Sequence, residues 1–188
     1  PDAAAVAELA ALVAAAECPV IIAGQGTQTD AARSLLAPLV QRAGIAVATS
    51  YNGKGVIDET SPVAVGMLGT WGSKSANRML GRADLVLVLG ASLGPDYLRF
   101  RDDGMIDPTR QRIVQVDIDP RHAGWVLPVD LAITGDVADV LQQLSGMDLG
   151  AARCDARLAA IAANNREHGF GVLPPVMAAD GTLHYADV

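Results

Sequence analysis

Cysteine is nearly absent from this 188-residue chain: Cys18 and Cys154 are the two it has, far apart and in no Cys-x-x-Cys pattern. A disulfide framework is thereby excluded, and no zinc-ligand spacing is present. Positive charge is also scarce, with 14 Lys and Arg against 21 Asp and Glu and a net charge of -7. The general attraction to phosphate backbones or anionic lipid is missing, so neither nucleic acid nor a membrane surface is expected as a partner. Aromatics are only 4% of the residues, and the 51% hydrophobic fraction is built largely from Ala, Val and Leu. That is too apolar for a disordered chain and suits α/β packing. The Ala-rich opening is interrupted by Glu8 and Glu17, and no basic residue precedes Arg33. It offers neither the basic start of a secretory signal nor an 18-residue apolar span. With the cysteine usage, this predicts a cytoplasmic protein. The start at Pro1 leads us to expect a piece of something longer.

Residues 3–16 are nearly all strong helix formers and stop before Pro19, which cannot continue a helix. Residues 19–24 form a β-branched run ending in Gly24-Gln25-Gly26, and Asp30 is placed to cap a helix over 31–43 that Gly44 closes. A second buried strand is predicted over 45–50. Residues 51–68 read as a long loop, unusual in a compact domain and for that reason a candidate for function. A helix over 73–82 leads into 84–90, an unbroken apolar run of the kind found in parallel strands covered on both faces. Strands follow over 111–117 and 130–134, the last running through Gly135 and Asp136 into a capped helix over 137–144. The alternation predicts an α/β fold: a doubly wound (Rossmann-like) parallel sheet of about six strands with helices on both faces. Residues 1–146 make up that domain. Residues 147–188 read as a linker or tail leaving it, with one more helix over 151–167.

An open parallel sheet binds ligands outside the carboxyl ends of its strands. Gly24 and Gly26, Gly90, Asp117 and Asp119, and Gly135 with Asp136 each follow a predicted strand and so share one edge. Any one group also reads as an ordinary turn or cap; together they favour a nucleotide-sized site. Gly24-x-Gly26 is placed to bring backbone N–H groups to a diphosphate, with the positive end of the next helix behind it. Gly26→Val is then expected to block a ligand and spare the fold. Thr29 stands at the sixth position of the dinucleotide fingerprint, and Ser50-Tyr51 stands where an acid belongs after the second strand. Both disfavour an ordinary NAD dehydrogenase, and no P-loop motif occurs. His122, His168 and His184 are scattered and read as solvated. The carboxylate pairs Asp102-Asp103 and Asp117/Asp119 read as structural, Ser73 and Ser75 lack an evident base, and Asn164-Asn165 reads as a helix surface. No nucleophile or acid–base constellation emerges.

The succession PVIIAGQG, NGKGVIDETSP, VGMLGTWGSKSANRML, ADLVLVLGAS, RIVQVDIDP and PVDLAITGDVADVL resembles the central domain of thiamine diphosphate-dependent enzymes of the acetolactate synthase and benzoylformate decarboxylase type. The resemblance runs from residue 1 to about 144. It implies a homo-oligomeric parent of three modules, whose other two modules are this domain's partners, using thiamine diphosphate and Mg²⁺ in transferase (carboligase) or lyase (decarboxylase) chemistry on 2-keto acids. It also implies no catalytic residue here, since the catalytic glutamate belongs to the first module and the GDG…NN signature to the last. Asp180-Gly181 lacks both the preceding glycine and a following Asn pair. The chain alone is therefore expected to be inactive. In the acetolactate synthase branch this domain holds FAD as a non-redox ligand, and in oxalyl-CoA decarboxylase relatives it holds ADP. The matching positions are Gly24 and Gly26 beside the diphosphate, and Thr49, Leu68 and Gly69 along the flavin or ribose arm. Gly90, Ala91, Asp117, Ile118 and Asp136 follow toward the adenine. In place of a GARFDDR-like segment the chain carries Ser92 where the arginine stands, and Arg99 and Arg101 are the nearby arginines that remain. A serine supplies no bidentate fork. The alternative is a purely structural or oligomerisation domain that holds no ligand. A third reading, an NAD-dependent deacylase on a similar sheet, calls for a zinc site that two distant cysteines do not provide.

Overall fold

Leu85, Leu87 and Leu89 point to one face of a five-residue strand, β4 (Leu85–Leu89), and Val86 and Val88 to the other. All five are buried, which requires helices on both sides. The computed structural model describes residues 1–95 and 104–171 and supplies those helices. β4 pairs in parallel with β1 (Pro19–Ala23) and β5 (Arg112–Asp117). β2 (Ala46–Thr49), β3 (Ala64–Met67) and β6 (Leu131–Thr134) complete a six-stranded parallel sheet in the order β3-β2-β1-β4-β5-β6. The doubly wound sheet expected from the sequence is the fold observed.

Helices α1 (Ala3–Ala15), α2 (Asp30–Ala43) and α4 (Val137–Leu144) cover one face, packing Leu9, Leu36, Val40 and Leu141 against Ile21, Val47 and Val114. Helices α3 (Lys74–Arg82) and α5 (Cys154–His168) cover the other, packing Met79, Leu80 and Ile161 against Val20, Ile22, Val86 and Ile113. Burying each such aliphatic side chain contributes about 1.5–3 kcal/mol, so both faces are needed to hold the sheet.

Three local expectations are corrected. Thr29, not Asp30, caps α2: its hydroxyl accepts from the Ala32 amide at 3.2 Å, while Asp30 is already helical. The long loop over 51–68 contains β3, a four-residue edge strand interrupted by Gly66 at φ +92°. Its sequence has little β propensity, and pairing with β2 rather than local preference makes it a strand. A Cβ on Gly66 would fall 2.6 Å from Ser73 Oγ and 2.7 Å from the Phe170 ring, so only glycine fits. Finally, Asn164-Asn165 is not a helix surface. Asn164 is fully buried and donates to Ser75 O at 3.1 Å and Ser75 Oγ at 2.8 Å, and Asn165 donates to Ala64 O at 2.9 Å.

Arg157, Ile161 and Asn164 form the buried stripe of α5, spaced as one helix face. Arg157 is 3% exposed and donates from both terminal nitrogens to four carbonyls: Ala43 at 2.8 Å, Leu149 at 2.9 Å, and Val13 and Ala16 at 2.7 Å each. One guanidinium thus ties the carboxyl ends of α1 and α2 to α5, where the helix dipoles favour a cation. Burial lowers its pKa from the usual arginine value, with the neighbouring Arg153 adding in the same direction. Positions 99, 101, 102, 103, 180, 181 and 184, named from the sequence, and the tail from 172 lie outside the described residues.

Candidate functional site

Strand order reverses between β1 and β4, and the loops leaving these two strands meet through glycine backbones. Gly24 N donates to Leu89 O at 2.9 Å, Gly26 N to Gly90 O at 3.0 Å, and Gly90 N to Val116 O at 2.8 Å. A Cβ on Gly24 would lie 2.3 Å from Gly90 O, and one on Gly26 would lie 2.8 Å from Gly90 Cα. These glycines are therefore required by chain-to-chain contact. The expectation that Gly26→Val spares the fold is corrected for the same reason: valine there drives the two loops apart.

Beside this junction a cavity of about 360 Å³ opens over the strand ends, within the size class of small-molecule sites. Gly26, Gly90, Ala91, Asp117, Ile118 and Asp136 line it, as do Gln25, Thr29, Ser50, Asn52, Ser92 and His122, which the sequence reading of the site left out. Gly24 lies behind the lining with its amide engaged. The proposed flavin-arm positions are elsewhere: Thr49 and Leu68 are 2% exposed within the core, and both backbone polar groups of Gly69 are bonded to Asn77, at 2.8 and 2.9 Å.

The titratable side chains of the lining are Asp117, Asp136 and His122. Asp117 Oδ1 accepts from the Asp119 amide at 2.9 Å and lies 3.1 Å from His122 Nδ1, an approach not aligned as a hydrogen bond. The turn over Pro120–His122 brings the imidazole beside Asp117 at the end of β5, with the His122 side chain still 39% exposed. Asp119 holds that turn, accepting from the Arg121 amide and guanidinium, which keep its carboxyl well below the usual range. Asp136 Oδ1 caps α4 through the Ala138 amide at 2.7 Å, and the residue also lines the cavity.

The fit to an adenine nucleotide is uneven. Carboxylates at the ends of β5 and β6 with exposed Ile118 between them offer acceptors and an apolar surface suited to ribose hydroxyls and a base. For a diphosphate, the Gly24 and Gly26 amides are already bonded, and no arginine or lysine lines the cavity among the described residues. What remains is the positive ends of α2 and α4, whose capping residues Thr29 and Asp136 face the opening. No group of three or more His, Cys, Asp or Glu able to hold a metal occurs among the described residues.

Thr49 Oγ1 is buried without any hydrogen-bond partner. An unsatisfied buried hydroxyl is a desolvation cost of about 1–3 kcal/mol, and valine fits a buried strand at least as well. Thr49→Val is expected to leave stability unchanged or raise it by about 1 kcal/mol, as measured by denaturant unfolding. A loss above that size would show that the hydroxyl has a role.

A doubly wound parallel sheet with a ligand-sized cavity at its switch point defines a Rossmann-like domain. Residues 6–144 match the family model for the thiamine pyrophosphate enzyme, central domain, and the chain belongs to that family. It is 35% identical over 133 residues to a probable acetolactate synthase large subunit of Methanococcus aeolicus, covering 71% of this chain and 22% of that protein. It is 36% identical over 159 residues to sulfoacetaldehyde acetyltransferase of Castellaniella defragrans, covering 82% and 26%. Identity to acetolactate synthase isozyme 1 large subunit of Escherichia coli K12 is 36% over 142 residues, covering 73% and 24%. The chain spans about a quarter of the length of these curated relatives.

Proposed function

We propose that this chain is the non-catalytic central module of a thiamine diphosphate- and Mg²⁺-dependent enzyme acting on 2-keto acids, and that its switch-point cavity holds the adenosine part of an adenine nucleotide. The supporting observation is the pair of carboxylates, Asp117 and Asp136, lining one side of a cavity opened by the glycine junction. ADP suits it better than FAD, because Thr49, Leu68 and Gly69 stand outside the lining and Ser92 replaces an arginine. A module that only spaces its neighbours is the second reading, favoured by the engaged Gly24 and Gly26 amides. Calorimetric titration with ADP, FAD and adenosine decides between them: heats from ADP and adenosine carry the nucleotide reading, and silence from all three leaves the spacer.

If ADP binds, Asp117→Asn is expected to weaken it by about 1–3 kcal/mol, the loss of one hydrogen bond to a charged acceptor, or up to roughly two powers of ten in Kd. Unchanged affinity would remove Asp117 from the site. The chain by itself is expected to give no thiamine diphosphate-dependent turnover of pyruvate, because the GDG…NN signature does not occur in its sequence. Measurable turnover by the purified chain would overturn that expectation.

A further inference from the structure

A second cavity, of about 310 Å³, lies away from the switch point between the carboxyl-terminal turns of α3 and α5. Arg78, Arg82, His168 and Glu167 line it, with the backbones of Gly81 and Gly104. Arg78 and Arg82 are one helical turn apart and so share a face of α3. Arg82 is tied to Glu167 at 3.1 Å, an exposed pair that engages one guanidinium nitrogen among the described residues. Arg78 has no hydrogen-bond or ion-pair partner among the described residues. His168 Nε2 is buried without a hydrogen bond, and Glu167 Oε1 at 3.8 Å is beyond hydrogen-bond reach.

The bland account is that Arg82 and His168 answer the negative carboxyl ends of their helices. It covers Arg82, which sits in the last turn of α3. It covers neither Arg78, a turn earlier, nor a buried imidazole nitrogen left without a partner, a costly arrangement unless something completes it. Among the described residues the lining carries two guanidiniums and an imidazole against one carboxylate, in a chain whose net charge is -7. We propose that this cavity is a phosphate-binding site, in which Arg78 and Arg82 grip the anion from α3 and His168 donates from α5. Three donor groups on two helices match a tetrahedral oxoanion, which offers more acceptor oxygens than a carboxylate does.

The probe is inorganic phosphate, titrated at constant ionic strength against the protein and followed by thermal unfolding and phosphorus resonance broadening, with acetate in a parallel arm. Saturable stabilisation by phosphate is expected, with acetate at least about tenfold weaker. Arg78→Gln and His168→Gln are each expected to weaken phosphate at least about tenfold. Arg78 is exposed, so its substitution leaves the fold intact. Arg33→Gln, on exposed α2 surface and outside both cavities, is expected to leave the phosphate response unchanged. Equal responses to phosphate and acetate, no saturable response, or full retention in Arg78→Gln would each overturn the proposal.

Discussion

Arg157→Met is expected to lower the unfolding free energy by about 3–5 kcal/mol, a large share of the 5–15 kcal/mol that holds a typical domain together. The methionine keeps much of the aliphatic length but supplies no donor, and the carbonyls of Val13, Ala16, Ala43 and Leu149 all lose their guanidinium partner at once. A hydrogen bond from a charged donor contributes about 1.5–3 kcal/mol, and a buried acceptor left unpaired costs a similar amount. The four losses will not add in full, because the group acts as a unit. Arg157→Lys should recover only part of the loss, since an ammonium on a flexible stem cannot span acceptors set for a planar fork. Equilibrium urea unfolding of the three proteins measures both effects. A loss below about 1 kcal/mol for methionine would mean that water reaches these helix ends and the clamp is dispensable.

Gly90→Ala is expected to cost about 2–5 kcal/mol and to close the route to ligand binding at the same time. Gly90 sits at φ +58°, where an L side chain costs about 1–2 kcal/mol. Its Cβ would also lie 2.5 Å from Gly26 Cα and 2.8 Å from Gly26 N. That contact is with backbone, which has no rotamer by which to yield, so the β1 and β4 loops must separate, and overpacking of this kind costs about 1–3 kcal/mol more. Both loops line the switch-point cavity, so any ADP affinity should fall with the melting temperature. Preserved stability with lost affinity would instead make Gly90 a ligand contact only. Asp117→Asn, whose side chain faces the cavity from the end of β5, is therefore the cleaner probe of binding.

The layout of strands and helices was legible because burial on both faces writes itself into composition. A run such as residues 85–89 has no polar alternation because neither side meets water, and a helix such as α2 declares its end with Gly44 at φ +64°. The glycines and aspartates after the strands were legible as a group for a related reason. In a parallel sheet every carboxyl end lies on one edge, so residues far apart in sequence are brought together by topology alone.

The sequence by itself determined the class of fold and the edge at which the strand-end glycines and aspartates gather. Tertiary structure decided what each residue does there. β3 exists because β2 offers an edge to pair with, a nonlocal cause absent from its own four residues. His122 joins Asp117 only because a turn of three residues reverses the chain, and Gly26 serves contact with Gly90, whose distance no spacing rule encodes. Asn164 read as a helix surface and Arg157 carried no sequence signal, because polar side chains break the apolar stripe, yet both are buried where helix ends and a neighbouring serine supply partners. A buried polar residue is readable only through the groups that satisfy it, and those groups come from other parts of the chain.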